Sequence, residues 1–335
     1  MKNIILFVFI LTLGLSNEKS LFEIKEITND KIVISFTLKE YELKNDDNGY
    51  TEIVAPNLLG TKSLIGEPLL PSISSFIKLD KYTSYDIDYN IISQKEYLNK
   101  EINPLQNFNN IKNDEFTKNE LIYNSNNQYP EKNLYSSNRL IMRGNEFINV
   151  ELIPFSYYSN DKKLIVMEEV EITIQNNGEI NQPLSKDFPN SKVFERLINS
   201  MIINPTNDTN SRNEDYQKPH VLYICGGSSA TNSYFNQLVD WRKKQGYQVT
   251  VATTSSSDND GLNGNSTTNV KNYLEDSMDW DTPPEFVTLV GDVDGSFAIS
   301  TFTEYDSGYQ GRGDHPYSQL DGNDLIPEVF LGRIS

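Results

Sequence analysis

The sequence predicts two domains of different grammar, an all-β sandwich followed by an α/β domain whose parallel sheet is covered by helices on both faces. Three observations carry this. Short runs alternate apolar and polar residues at period two from Leu21 to about Ile174. A polar stretch rich in Asn and Pro then interrupts the pattern. After Pro219, near-continuous apolar strands alternate with helical patterns, as fully buried parallel strands require. A chain of 335 residues is long enough for two such units.

Met1 to Asn17 reads as a secretory signal: Lys2 supplies the positive start, Ile4 to Leu15 a short apolar core, and Gly14 to Ser16 small residues near a cleavage point. That core is shorter than the roughly 20 residues a membrane span needs. The expected mature protein is exported and soluble.

The first domain is expected over residues 18–185. Lys31 to Leu38, Tyr41 to Leu43, Ile73 to Lys78, Tyr85 to Ile92, Phe147 to Ile153 and Leu164 to Ile174 are β-branched and aromatic runs broken by Asn, Asp and Gly. Gly66-Glu67-Pro68-Leu69-Leu70-Pro71 stiffens the entry to one strand. Glu151 to Tyr158 followed by Lys163 to Ile174 reads as a hairpin. Asn99 to Asn133 has weak patterning and is expected to be a long loop.

Residues 186–217 are read as a linker and processing region, with one short helix over Val193 to Met201. Asn204 to Lys218 offers almost nothing to bury, which exposes Arg212 and Lys218 to proteolysis.

From residue 218 the order is strand (His220 to Cys225), helix with Phe235, Leu238 and Val239 on one face, strand (Tyr247 to Thr253), helix opened by Ser266 or Thr267, and strand (Phe286 to Val290). Ligands sit at the carboxyl ends of such strands. Asp292 follows the third strand and Gly226 to Ser229 the first. The latter turn lacks the Lys of a P-loop and the third Gly of a dinucleotide fingerprint, so a tight strand-to-helix turn is the better reading.

Composition narrows the function. With 29 basic and 47 acidic residues the net charge is −18, which argues against nucleic acid and anionic membrane surfaces as partners and suits a protein that meets divalent cations. The single cysteine excludes an internal disulfide framework and a cysteine-rich zinc site. Cys225 and His220 lie on one strand, five residues apart, so they face opposite ways at roughly 16 Å and form no nucleophile pair. Asp314, Tyr317 and Arg333 are either site walls or ordered surface. The densest chemistry is the segment Asp321 to Glu328. Asp321, Asp324 and Glu328, with the carbonyl of Ile326, offer the crowded oxygens and sharp Gly turn that Ca²⁺ prefers, or else form a solvated acidic turn. Asp292, at its strand end, is expected to meet this loop and complete an oxygen cage.

Val290-Gly291-Asp292, Asp314-His315-Pro316-Tyr317, Leu320-Asp321-Gly322-Asn323-Asp324 and Pro327-Glu328-Val329-Phe330-Leu331-Gly332-Arg333-Ile334-Ser335 resemble the first part of the gingipain-type cysteine peptidase domain, peptidase family C25. The region through Gly66 to Pro71 and Ile153 to Ile174 is similar to that family's propeptide. The resemblance implies a secreted precursor. Its β-sandwich prodomain contacts the peptidase domain within one chain, and residues 218–335 form the first, incomplete part of a caspase-like α/β domain. It also implies a calcium site at Asp292, Asp321, Asp324, the main-chain oxygen of Ile326, and Glu328, and protein or peptide substrates. The family's catalytic His, in a Gly-His-Gly context, and its strand-end Cys have no counterpart before Ser335, so this polypeptide alone is expected to be inactive. The competing expectation is a non-enzymatic, calcium-stabilised secreted binding module.

Overall fold

A computed structural model describes residues 21–107, 116–180, 184–205, 215–255, 262–306, 309–322 and 324–335. The expected signal segment and Arg212 lie outside the described residues.

The first domain is a sandwich of two antiparallel sheets. One is six-stranded and built on β1 (Phe22–Ile27), β2 (Lys31–Thr37), β4 (Thr83–Tyr97), β7 (Phe155–Tyr158) and β8 (Lys163–Glu179), with the short strand Gln128–Tyr129 at its end. The 17-residue β8 is its spine: β4 runs along one side, while β7 and β2 share the other. The second sheet centres on β3 (Pro71–Leu79), β5 (Leu140–Met142) and β6 (Asn145–Leu152). Period-two alternation turns Ile34, Phe36, Val170, Ile172 and Ile174 toward Ile77, Val150 and Leu152, all at most 1 % exposed. Each such side chain contributes about 1.5–3 kcal/mol by leaving water.

The expected long loop wraps the sandwich and is pinned to it. Ile102 is wholly buried and bridges Thr51, and the Tyr123 hydroxyl donates to the Ile102 carbonyl at 2.6 Å.

The expected helix over Val193 to Met201 is present, but it is packed against the sandwich and not part of an exposed linker. Ser191 caps helix α1 (Lys192–Met201), its hydroxyl accepting from the Phe194 amide. Phe194 and Ile198 then bury against Met142 and Phe147. Beyond the helix, Ile203 N–H donates to the Phe76 carbonyl at 3.1 Å, and the Asn204 side chain brackets the Lys78 backbone. A ten-residue amphipathic helix set in polar sequence thus belongs to the sandwich.

The second domain has β9 (His220–Cys225), helix α2 (Ser233–Lys244), β10 (Gln248–Thr253), helix α3 (Thr267–Ser277), β11 (Phe286–Val290) and β12 (Phe330–Ile334). The sheet is parallel with order β10-β9-β11-β12. Every residue of β9 is buried, because its two faces meet different helices. Val221, Tyr223 and Cys225 pack with Phe235 and Val239 of α2, whereas Leu222 and Ile224 pack with Val270 and Leu274 of α3. Ser266 caps α3 through the Asn269 amide at 3.2 Å. Among the described residues no helix is long and apolar enough to cross a membrane.

Gly226 follows β9 where the chain segment Ser296–Ala298 crosses, and a methyl group there would run into the Phe297 carbonyl. The obstacle is backbone and not the movable end of a side chain, so it yields little. Gly226→Ala is therefore expected to destabilise the chain by about 3 kcal/mol, read from urea unfolding; a loss under about 1 kcal/mol contradicts this packing.

Candidate functional site: an acidic loop beneath a buried arginine hairpin

The register of the parallel sheet sorts the site residues. Phe286 pairs with Phe330, and Val290 with Ile334. Asp292 lies two residues past one end of this ladder and Glu328 two residues before the other. At the usual strand rise they stand on the order of 20 Å apart. The expected cage is thus not assembled. The structure gathers Asp321, Asp324 and Glu328 at the amino edge of the sheet and leaves Asp292 exposed at the carboxyl edge, its carboxylate accepting from the Val293 amide at 2.7 Å. The physical reason is strand direction: Asp292 follows its strand, whereas the acidic loop precedes its own.

The carboxyl edge is scaffold. Arg333 forms a two-pronged pair with Asp314 at 2.7 and 2.8 Å, and its third nitrogen donates to the carbonyls of Gly291, Asp292 and Ile299. Burial opposes ionisation of Asp314, but the Arg333 and Thr301 hydrogen bonds outweigh it and hold the carboxyl below its usual range. The Tyr317 hydroxyl donates to the Ser300 carbonyl at 2.5 Å. In the Gly226 turn, the Gly226 amide donates to the Val290 carbonyl and the Gly227 amide to Thr254, so neither faces an anion. Cys225 is fully buried and burial pushes its thiol up to about 11, which makes it structural rather than nucleophilic. His220 is held by the Thr282 carbonyl and the Thr250 hydroxyl, and burial lowers its pKa.

At the amino edge the acidic loop is folded by its own backbone. The Glu328 amide donates to the Ser318 carbonyl, and a His315 ring nitrogen lies 3.1 Å from the Leu325 carbonyl. Lys271 of α3 donates to the carbonyls of Pro316 and Gln319 at 2.6 Å each. Glu328 is wholly buried; one carboxylate oxygen accepts from the Leu320 amide at 3.0 Å, while the other has no hydrogen-bond partner. One oxygen of Asp321 is likewise buried and unpaired, the other accepting from the Gly322 amide. Desolvation, with Asp324 and Asp321 adding repulsion, pushes the Glu328 carboxyl up to about 8. Two buried oxygens without donors fit a cation. Among the described residues, however, no three of His, Cys, Asp and Glu converge closely enough to hold one. The Asp324 oxygens accept from the Ile141 and Ile326 amides at 2.8 and 2.7 Å.

Ile141 belongs to the first domain. Its β5–β6 hairpin turns through Arg143 and Gly144, both at positive φ (48° and 71°), the conformation that two-residue hairpin turns favour. A side chain on Gly144 would approach the Lys186 carbonyl to 2.5 Å. Arg143 is 4 % exposed, with its guanidinium 5.2 and 5.1 Å from the ring centres of Phe188 and Phe194, and it donates to the Pro284 carbonyl at 2.9 Å. Burial lowers its pKa to about 10, against the pull of Glu285 and Glu328. Glu285, also buried, accepts from the Ser191 hydroxyl. Phe194 meets Phe330 at 5.0 Å, and Phe330 stacks on Phe286 at 5.5 Å. Sequence reasoning missed Arg143. The available signal was Arg143-Gly144 between two alternating runs, a two-residue hairpin turn with an arginine at its tip.

The β-sandwich thus buries an arginine-tipped hairpin against the parallel α/β domain of the same chain. Residues 31–212 match the family model described as Propeptide_C25, and residues 214–335 that of Peptidase family C25. The chain belongs to peptidase family C25 and carries that family's propeptide over more than half its length. Among solved structures it is similar to the complex of Porphyromonas gingivalis RgpB pro- and mature domains. That match has 16 % identity and a TM-score of 0.46, covering 55 % of this chain and 97 % of that one. It is also similar to a structure concerning zymogenic latency of gingipain K from Porphyromonas gingivalis, with 17 % identity, a TM-score of 0.39, and coverage of 47 % and 92 %. A third, titled Structure of Protease, shares 23 % identity at a TM-score of 0.29, over 34 % of this chain and 24 % of that one. No curated protein matches the chain. The family assignment rests on the two family models.

The raised Glu328 carboxyl has a pH signature. Between its ordinary value of 4.5 and about 8 the folded chain keeps a proton that the unfolded chain has lost. Stability contributed by this group is complete at low pH and is lost as pH rises through that window, by on the order of 1 kcal/mol per pH unit. In chelator, the unfolding free energy of the wild-type chain is expected to fall more steeply over this range than that of Glu328→Gln; parallel curves contradict the burial.

Proposed function

We propose that this chain is the prodomain-bearing part of a secreted cysteine endopeptidase precursor that acts on protein or peptide substrates, and that a calcium ion braces its 321–328 loop. The observation that carries the calcium reading is the pair of buried, unpartnered oxygens on Asp321 and Glu328 beside Asp324. Asp321, Glu328, the Ile326 carbonyl and Asp324 would hold the ion; Asp292, at the far edge, is left out of this set. Calcium would supply the charge that keeps three crowded carboxylates ionised out of water. It would brace the loop and take no part in bond cleavage.

Peptidase chemistry in this class needs a thiolate to attack the scissile carbonyl and an imidazole to move the proton. Cys225, His220 and His315 do not supply that pair. Cys225 is sealed in the sheet and His220 is spent on Thr250 and Thr282, while His315 sits against the acidic loop at the opposite edge. The chain over residues 1–335 is expected to show no peptide hydrolysis, and Cys225→Ala to leave that result unchanged. Secretion is supported by the short apolar amino-terminal segment behind Lys2.

The test is thermal unfolding with and without calcium. A ligand at 100 times its Kd stabilises the folded state by about 2.7 kcal/mol. The melting temperature is expected to rise with calcium in the wild-type chain and to stay fixed in Asp321→Asn and Glu328→Gln. An identical wild-type melt in calcium and in chelator defeats the proposal.

A further inference from the structure

We infer that a small oxyanion (a phosphate, a sulfate or a carboxylate) binds in the cavity behind the Arg143 hairpin. Lys78 and the free Nε of Arg143 hold it, and it staples the prodomain to the chain that follows the 206–214 segment. The inference stands apart from the calcium reading, because it uses a different set of residues.

The cavity has a volume of about 270 Å³. A water takes about 30 Å³ of the liquid, so an anion and several waters fit. Strand β3, the hairpin, residues 187–191 and the first turn of α1 line it, and Tyr216 lines it from the far side of the 206–214 segment. Arg143, 4 % exposed, contributes a buried Nε that has no hydrogen-bond partner. Lys78 is the second donor left over. Its backbone is bonded to Asn204, but among the described residues its ammonium makes no hydrogen bond or ion pair. Burial lowers the Lys78 pKa; Glu195 opposes this through space, and Lys81 adds repulsion.

The acids nearby are already engaged. Asp187 is exposed and pairs with Lys81 at 2.7 Å. Glu195 is exposed and accepts from the Tyr216 hydroxyl at 2.6 Å. Glu285 accepts from the Ser191 hydroxyl and pulls on Arg143 only through space. Two cationic donors thus remain without an acceptor, in a protein whose net charge is −18. A charged donor held out of water and unpaired is costly, and an oxyanion relieves it through charge-assisted hydrogen bonds. Ser191, the cap of the ten-residue α1, also lines the cavity, so the positive end of that helix adds to the field there. An anion that engages Arg143 Nε fixes the guanidinium whose other nitrogen holds the Pro284 carbonyl. Tyr216 is tied to the same wall through Glu195, and the adjoining Gln217 amide donates to the Asn190 carbonyl at 2.8 Å. The site is whole only while both flanks of the 206–214 segment are in place.

The experiment is calorimetric titration of phosphate, sulfate and acetate, one at a time, into the intact chain at constant ionic strength in chloride, with hydrogen exchange at the Gln217 amide followed in parallel. At least one of the three is expected to bind and to slow Gln217 exchange, and the one that binds identifies the anion. Lys78→Gln is expected to weaken binding by about tenfold or more, the ratio that a hydrogen bond to a charged group sets. In chloride alone it is expected to melt at the wild-type temperature, because no partner inside the protein is lost. Lys132→Gln, at an exposed lysine outside the cavity, is expected to bind as the wild type does. No heat with any of the three anions overturns the inference, as does equal affinity in the wild type and Lys78→Gln, or an equal loss in Lys132→Gln. A lower melting temperature of Lys78→Gln in chloride makes Lys78 structural and also overturns it. Binding that leaves Gln217 exchange unchanged overturns the staple.

Discussion

All strands of a parallel sheet enter at one edge and leave at the other, and this single directional constraint allots every functional feature of the second domain. Residues that follow a strand, Gly226 to Ser229 and Asp292, are sent to the carboxyl edge. Residues that precede one, Pro284, Glu285 and the 321–328 loop, are sent to the amino edge. The prodomain contacts described above fall on the second set. Arg143 reaches the Pro284 carbonyl, Ser191 reaches Glu285, and Ile141 reaches Asp324. The sheet thus separates a scaffolded carboxyl edge, clamped by Arg333 and Asp314, from an amino edge that carries buried charge and a docked hairpin.

Much of the fold was legible because its causes are local. β9 reads as a continuous apolar run since it is buried on both faces, and Phe235, Val239, Val270 and Leu274 fall at helical spacing because each helix covers one of those faces. The sandwich was equally readable, its core positions alternating along β2 and β8. The linker was harder. Asn, Ser and Pro around residues 186–205 signal exposure, yet Phe194, Ile198 and Ile202 are enough to dock a ten-residue helix against β3 and β6 once the sandwich exists. The helix was readable at Val193 to Met201, but its docking was decided by tertiary packing, which composition could not report.

The site divides along the same line. Crowding of Asp321, Asp324 and Glu328 follows from chain proximity and could be read directly. The Asp292 placement failed because it asked which edge of the sheet a loop occupies, and a loop's edge depends on whether it enters or leaves its strand. Arg143 was invisible for another reason. A lone arginine at a hairpin tip looks solvent-bound until a second domain closes over it with Phe188, Phe194 and Pro284. Burial of that guanidinium is a property of two domains together, and neither half of the sequence contains it.

The stretch between the domains is stapled on either flank. On the sandwich side Ile203 and Asn204 are bonded to Phe76 and Lys78; on the other, the Gln217 amide is bonded to the Asn190 carbonyl and its side chain to the Pro283 carbonyl. A protease that cuts anywhere between Pro205 and Asp215 severs the covalent tie and leaves all of these bonds, and the Arg143 anchor, in place. Nicking and disengagement are then two separate events, because the Arg143, Ser191, Ile141 and Phe194 contacts all lie outside the cut.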